Sequence, residues 1–349
     1  MSKQKVIISS NVCEDLKNIL AKNTYTNIFI LTDDITQKLC LPAISFVDAK
    51  IIEIKQGDGN KNIDTLAYIW QFLVENGATR NSLFINLGGG VITDLGGFAA
   101  STFKRGMAYI NIPTTLLGAV DAAVGGKTGI NFLGLKNEIG VINSADFVLI
   151  DTVFFKTLDR ENLLSGFAEM LKHALIYNVE ELQKMLAFSL AEIDYEKLRP
   201  LLASSVKIKE EIVEKDPTEQ NIRKALNFGH TVGHAFESFS HETGKPVLHG
   251  YAVAYGMICE LYLSHKKMQF PKETLQQFCK LIVNNYGYLN IDCKNYPRLY
   301  ELMIHDKKNT SKEINFTLLS NVGDIRINQT ASEKEIFEAL DFYRDCVGL

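Results

Sequence analysis

Leu83-Phe-Ile-Asn-Leu-Gly88-Gly89-Gly90 is an apolar run that ends in three consecutive glycines, and Asp94 just beyond it opens a helical stretch. A strand that enters a helix through glycines lets a phosphate approach the backbone N–H groups at the helix N-terminus. The same residues also suit a tight turn with no ligand. The dinucleotide fingerprint G-x-G-x-x-G is not met, because its third glycine would fall on Thr93. Further β-rich runs occupy residues 6–9, 27–32, 49–54, 108–112 and 147–150, and helical patterns occupy Ile63–Glu75 and 94–103. This alternation predicts a mostly parallel sheet with helices on both faces.

After Asp151 the β runs stop. Helix-period segments follow at residues 160–177, 179–188, 201–215, 224–239, 252–267 and 274–285, with a late hairpin over 314–319 and 324–327. A chain of 349 residues exceeds the usual single core. Two domains are therefore expected, an α/β domain over residues 1–155 and a mainly helical one over 156–349, with a cleft between them as the default site. The apolar share of 46% and charged share of 22% place the chain among soluble globular proteins. A net charge of −4 advertises neither a nucleic-acid nor an acidic-membrane partner. The start of the chain lacks a signal-peptide apolar run, and no stretch approaches the ~18 apolar residues of a membrane span. The six cysteines form no Cys-x-x-Cys pair, which suits free thiols in a reducing cytoplasm.

Residues 112–137 carry a dense motif, Ile112-Pro-Thr-Thr-Leu-Leu-Gly-Ala-Val-Asp121-Ala-Ala-Val-Gly-Gly-Lys127-Thr-Gly, followed by Lys136-Asn137. A Walker A reading of Gly126-Lys127-Thr128 fails, because its first glycine would have to sit at Asp121. Flexible glycines, two lysines, an amide and threonine hydroxyls still read as an anion site. Arg105 sits just before a strand and is either a further cation or a surface charge.

The second half has its own cluster. Arg223, Asn227, His230 and His234 are spaced four, three and four apart, and on one helix they would form a polar stripe. Leu226, Val232, Ala235, Phe236 and Phe239 lie away from it and can pack. Glu169 and Lys172 place charge inside an apolar helix, as an intrahelical ion pair or as a metal ligand beside a substrate lysine. His230 and His234 have the spacing of many zinc sites but lack the Glu of H-E-x-x-H. With His249, spacing nominates any three of Glu169, His230, His234 and His249 around an open position. His173, His241, His265 and His305 read as structural.

Taken in order, Gly-Gly-Gly-Val-Ile-Thr-Asp, Pro-Thr-Thr-Leu-Leu-Gly-Ala-Val-Asp-Ala-Ala-Val-Gly-Gly-Lys-Thr-Gly, Leu-Lys-Asn, Ala-Glu-Met-Leu-Lys, Asn-Phe-Gly-His-Thr-Val-Gly-His and Leu-His-Gly resemble the 3-dehydroquinate synthase family over nearly the whole chain. The resemblance implies a Rossmann-like NAD-binding domain followed by a helical metal- and substrate-binding domain, usually in a cytoplasmic homodimer. It implies a phosphate lyase of the shikimate pathway. Such an enzyme converts 3-deoxy-D-arabino-heptulosonate 7-phosphate to 3-dehydroquinate and phosphate by transient oxidation with NAD, β-elimination, re-reduction, ring opening and an intramolecular aldol. Glu169, His230 and His249 would bind the divalent metal, Zn or Co, and His234 would move to the substrate side near the phosphate. Lys127, Asn137 and Asn227 would bind phosphate and substrate, and Lys172, Lys209 and Arg223 would hold the carboxylate and hydroxyls. Asp121 would sit beside the reacting centre. Arg105 would reach the phosphate of the neighbouring subunit, and Lys307 or Lys308 would also reach the phosphate. Gly88, Gly89, Gly90, Asp94, Thr114, Thr115 and Lys136 match the NAD side, as do Asp33, Asp58 and Lys61 more loosely.

Two positions depart from the family pattern. Tyr251 stands where the family commonly has Glu, which leaves the support of His249 open. The stretch between His234 and His249 is slightly long. A sister sugar-phosphate cyclase would share the NAD, metal and phosphate groups. A polyol dehydrogenase of the same fold would not need the phosphate residues, and a non-catalytic nucleotide-binding module would not need the metal set.

Overall fold

The computed structural model describes residues 4–304 and 313–349, so His305, Lys307 and Lys308 lie outside the described residues. The chain divides into two compact units, Met1–Asp159 and Arg160–Leu349.

The first unit has strands β1 (Lys5–Ser9), β2 (Ile28–Asp33), β3 (Lys50–Ile54), β4 (Leu83–Gly88), β5 (Ala108–Pro113), β6 (Lys127–Phe132), β7 (Leu135–Ile142) and β8 (Phe147–Asp151). Six of these form one parallel sheet in the order β1-β8-β5-β4-β2-β3. Helices α1 (Val12–Ala21), α2 (Thr36–Leu39), α3 (Ile63–Glu75) and α4 (Gly90–Thr102) connect successive strands. Asn11 and Asn62 start α1 and α3 by accepting the N–H groups of Glu14 and Thr65. All six residues of β4 are buried, as expected for a central strand covered on both faces. From β2 the chain steps outward to β3, then returns to β4 and continues the other way through β5. The direction therefore reverses between β2 and β4, and the carboxyl ends of such strands are where α/β sheets receive ligands.

Two local expectations need revision here. Helix α4 opens at Gly90 rather than Asp94, because tertiary context overrides glycine's low helix propensity and Gly89 C=O already accepts the Thr93 N–H. The glycine-rich 127–142 segment is an antiparallel hairpin of β6 and β7, with Gly129 opposite Gly140. Its paired glycines hid the strand alternation.

The second unit holds α5 (Arg160–Tyr177), α6 (Val179–Ala187), α7 (Tyr195–Lys215), α8 (His230–Glu242), α9 (His249–Met268), α10 (Lys272–Tyr286), α11 (Tyr296–Ile304) and α12 (Glu333–Val347). It also carries the antiparallel hairpin β9 (Asn315–Asn321) and β10 (Asp324–Thr330). Helix α9 packs against α5, α8, α10, α12 and β9, and it is buried on nearly every side from Gly250 to Ser264. A helix enclosed in this way is the core of its unit.

The polar stripe expected along one helix is broken. Arg223 and Asn227 lie on a separate 3-10 turn, Ile222–Asn227, and α8 begins only at His230. The break is Gly229, held at φ 79°, a left-handed conformation that ends the first turn and re-aims the chain. The expected packing residues Leu226, Val232, Ala235, Phe236 and Phe239 are buried all the same.

Helices α8 and α9 touch backbone to backbone. A Cβ added to Gly256 would lie 2.1 Å from Gly229 O and 2.6 Å from Gly233 N. Gly256→Ala should therefore force the pair apart and lower stability by about 1–3 kcal/mol or more. Thermal unfolding would show this as a clearly reduced Tm; an unchanged Tm would mean that the contact yields freely.

Candidate functional site

Three helices of the second unit bring the chemistry together. Glu169 lies in the middle of α5, His230 is the first residue of α8 and His249 the first residue of α9. The start of α9 is set against α5 at Gly250, where a Cβ would lie 1.9 Å from Ser165 O, and the Gly250 N–H donates to Ser165 Oγ at 3.1 Å. His249 is thus seated one helical turn from Glu169 on α5. Glu169 Oε1 lies 3.4 Å from His230 Nε2 and 3.6 Å from His249 Nε2. Among the described residues, these three offer ligand atoms that all fall within 4.8 Å of one another.

The ring tautomers follow from the other nitrogens. His230 Nδ1 faces Phe228 O at 3.1 Å, and His249 Nδ1 faces Glu237 Oε2 at 3.1 Å. Each acceptor requires a proton on Nδ1, so in the neutral ring Nε2 is the lone-pair nitrogen, and both Nε2 atoms point at Glu169. Glu169 has no exposed surface; its Oε2 is ion-paired with Lys172 and its Oε1 faces both imidazole Nε2 atoms. Two imidazoles whose Nε2 atoms converge on a buried carboxylate make a donor set that fits a catalytic divalent ion with an open position.

Charge compensates the buried carboxylate. Burial alone would raise the Glu169 pKa, but the ion-paired Lys172 ammonium and His230 hold it well below the usual carboxylate range. For His249, partial burial disfavours the charge, yet the hydrogen bonds to Glu169 and Glu237 push its pKa up to about 10.

Other expected residues lie in the same unit. The His234 ring centroid lies 5.3 Å from that of His230 and 5.9 Å from that of His249. Lys172, Lys209 and Arg223 are all buried, on α5, α7 and the Ile222–Asn227 turn, which pack on one another. Arg223 donates to Pro217 O at 2.7 Å and Asn227 to Glu219 Oε1 at 2.9 Å. His173 is a core residue whose Nδ1 meets Ser205 Oγ at 2.8 Å.

In the first unit, Asp33 ends β2 and Gly88 ends β4, on either side of the reversal in strand order. Gly89 and Gly90 start α4 with no side-chain cap. Lys61, which is buried, donates to Asp94 Oδ2 at 2.5 Å and to Asn137 Oδ1 at 2.5 Å. Lys136 lies 3.9 Å from Asp58. The structure therefore links Asn137 with Asp58, Lys61, Asp94 and Lys136. Thr114 Oγ1 is buried without a hydrogen-bond partner, and Thr115 Oγ1 accepts the Gly118 N–H. Asp121 lies in a π-helical turn, Gly118–Ala122, and Lys127 opens β6, exposed.

Two residues escaped the sequence reading. Glu237 supports His249, filling the role left open by Tyr251, whose ring instead meets Tyr255 and Tyr286 edge-on. Glu260 is buried at the base of α8. Glu237 sits seven residues after His230, on the same helix face, which was the available signal.

A parallel sheet whose strand order reverses between β2 and β4, followed by a helical unit carrying a Glu-His-His centre, defines a dehydroquinate synthase-like fold. Solved structures share it. A 2-deoxy-scyllo-inosose synthase complexed with carbaglucose-6-phosphate, NAD+ and Co2+ overlays with a TM-score of 0.86 at 22% identity, covering 96% of this chain and 95% of that one. The 2-epi-5-epi-valiolone synthase from Streptomyces hygroscopicus, with NAD+ and Zn2+ bound, does so at 0.86 and 22%, covering 99% and 98%. Family models described as 3-dehydroquinate synthase N-terminal and C-terminal match residues 51–165 and 166–309. The 3-dehydroquinate synthase of Parabacteroides distasonis is 53% identical over the full length of both chains. The chain belongs to the 3-dehydroquinate synthase family.

A divalent ion needs His249 neutral, so binding must displace the proton that His249 holds below a pKa of about 10. Calorimetric titration of metal-stripped protein near neutral pH, in buffers of different ionisation enthalpy, should show proton release on binding. Affinity should rise with pH up to about 10 and then level off. Binding without proton release would mean that His249 is already neutral.

Proposed function

We propose that the chain catalyses the 3-dehydroquinate synthase reaction, converting 3-deoxy-D-arabino-heptulosonate 7-phosphate to 3-dehydroquinate and phosphate in the shikimate pathway. The full-length 53% identity to a 3-dehydroquinate synthase carries this reading. The buried carboxylate facing two imidazole Nε2 atoms supports it.

Glu169, His230 and His249 would hold one divalent ion, and the β2–β4 switch region would hold NAD. When bound, the ion supplies a Lewis acid and NAD supplies reversible hydride uptake, which leaves NAD regenerated. Gly88, Gly89 and Gly90 offer backbone N–H groups to the pyrophosphate. Asp33, Asp58, Lys61, Asp94, Thr114, Thr115 and Lys136 would complete that side. On the substrate, Lys172, Lys209, Arg223 and Asn227 would hold carboxylate and hydroxyls. Lys127, Asn137 and one of Lys307 and Lys308 would hold phosphate, and Asp121 would sit beside the reacting carbon. His234, adjoining the two imidazoles, would hold or move a proton near the leaving phosphate. The main work of these groups is to fix a polyanion among cations. The compartment we propose is the cytoplasm, in keeping with six unpaired cysteines. No helix among the described residues is long and apolar enough to cross a membrane.

Assembly as a homodimer is part of the proposal, and two observations support it. Strand β7 is exposed along its length and carries Leu135, Ile139, Val141 and Ile142. Arg105 sits in a strained turn, with Lys104 at φ 48° and Arg105 at φ 67°, and such strain gathers at functional positions. Arg105 would complete the phosphate site of the neighbouring subunit.

The deciding experiment supplies purified protein with the heptulosonate phosphate, catalytic NAD and Zn2+, and follows phosphate release and the carbocyclic product. His230→Ala should lose both metal and activity, whereas His234→Ala should keep the metal and lose activity. A metal-replete but inactive His230→Ala would sink the ligand assignment, and stoichiometric NADH release would indicate a dehydrogenase. For the dimer, mixing inactive Arg105→Ala with inactive Lys127→Ala subunits should restore part of the activity, since one kind of site in the mixed dimer carries neither lesion. No recovery after verified subunit exchange would return Arg105 to its own chain.

A further inference from the structure

We infer that Glu260 is a positioning residue for the Glu169–His230–His249 centre, an inference that rests on the metal-binding reading above. Glu260 lies on α9 about three turns beyond His249 and on the same helix face. It has no exposed surface. Its carboxylate takes three backbone N–H groups from the start of α8: Gly229 at 2.6 Å on Oε2, and Thr231 at 3.0 Å and Val232 at 3.2 Å on Oε1.

The Thr231 and Val232 N–H groups are donors that a helix normally satisfies with its own N-cap side chain. Here the cap position is Gly229, which has none. A side chain there would be strained at φ 79°, and its Cβ would lie 2.4 Å from Met257 Cγ and 3.1 Å from Val253 O. The cap therefore comes from the neighbouring helix, and a carboxylate suits the positive end of the helix dipole. His230 sits between two of the clamped amides, with its ring tied to Phe228 O. Any rotation of that first turn would move His230 Nε2 away from Glu169 and His249.

The bracing is reciprocal. Helix α9 lends Glu260 to seat His230 on α8, and α8 lends Glu237 to orient His249 on α9. Each histidine is positioned by a carboxylate on the other's helix, so the two imidazoles are fixed relative to each other and not merely within their own helices. A glutamine at 260 would offer one acceptor oxygen and would turn an NH2 group toward N–H donors.

The test compares metal-stripped wild type, Glu260→Gln and Glu260→Asp, titrated with Co2+ and followed by visible absorption, alongside hydrogen exchange of residues 228–236. Glu260→Gln should bind Co2+ about ten- to a hundredfold more weakly, the usual effect of losing a group that orients metal ligands. Exchange should rise at the first turn of α8 while the end of α8 stays protected. Co2+ affinity equal to wild type in a folded Glu260→Gln would overturn the inference and leave Glu260 a stability residue. If Glu260→Gln does not fold, Glu260→Asp decides: it keeps the charge but withdraws it by one methylene, and undiminished Co2+ affinity would equally overturn the inference. Wild type that binds no Co2+ would instead overturn the metal reading, and this inference with it.

Discussion

A carboxylate cannot be buried without compensation, and Glu169 is buried completely. Left alone it would take up a proton and cease to be an anion. Lys172 beside it and two imidazoles across from it keep it charged, so the second unit is organised around a negative charge held in its core. That demand accounts for an otherwise awkward feature of α5, a helix that is buried from Leu163 to Ile176 and yet carries Glu, Lys and His in its middle. Removing Lys172 would strip the buried carboxylate of its ion-pair partner, which is among the costlier changes a core can suffer.

The partners of Glu169 could not meet it through long side chains alone, because the helices that carry them must lie close. The backbone contacts supply that closeness. Gly250 sets α9 against Ser165 of α5, and Gly256 sets α9 against Gly229 and Gly233 of α8. Backbone contact admits little sliding, so the separations among Glu169, His230 and His249 are fixed by the helices before any side chain adjusts.

Much of this was legible in the chain. The strand that runs into Gly88-Gly89-Gly90 and its neighbours read correctly as a parallel sheet, because buried parallel strands are short apolar runs with sharp ends. Helices α5 to α10 showed their period as well, whereas α11 and α12 went unread. What could not be read was the break at Gly229. Four polar residues at helical spacing look like one stripe whether or not a left-handed glycine divides them, and the φ angle decides. The choice among Glu169, His230, His234 and His249 was likewise open to spacing, since it depends on how three helices cross. Only the family motifs favoured one set over the others. Glu260 was a readable clue that went unread. A lone acid in Met257-Ile-Cys-Glu-Leu-Tyr is as conspicuous as the charged pair on α5, but its partners are backbone amides, which leave no mark in a sequence.

The backbone contacts also bear on how such a protein can change over evolutionary time. The centre's geometry is set by glycines where main chains touch, while the buried Lys209, Arg223 and half-buried Asn227 belong to α7 and the Ile222–Asn227 turn. Those side chains can be exchanged without disturbing the spacing of the carboxylate and imidazoles. A lineage could therefore change the side chains of that helix and turn while inheriting the spacing of the carboxylate and imidazoles.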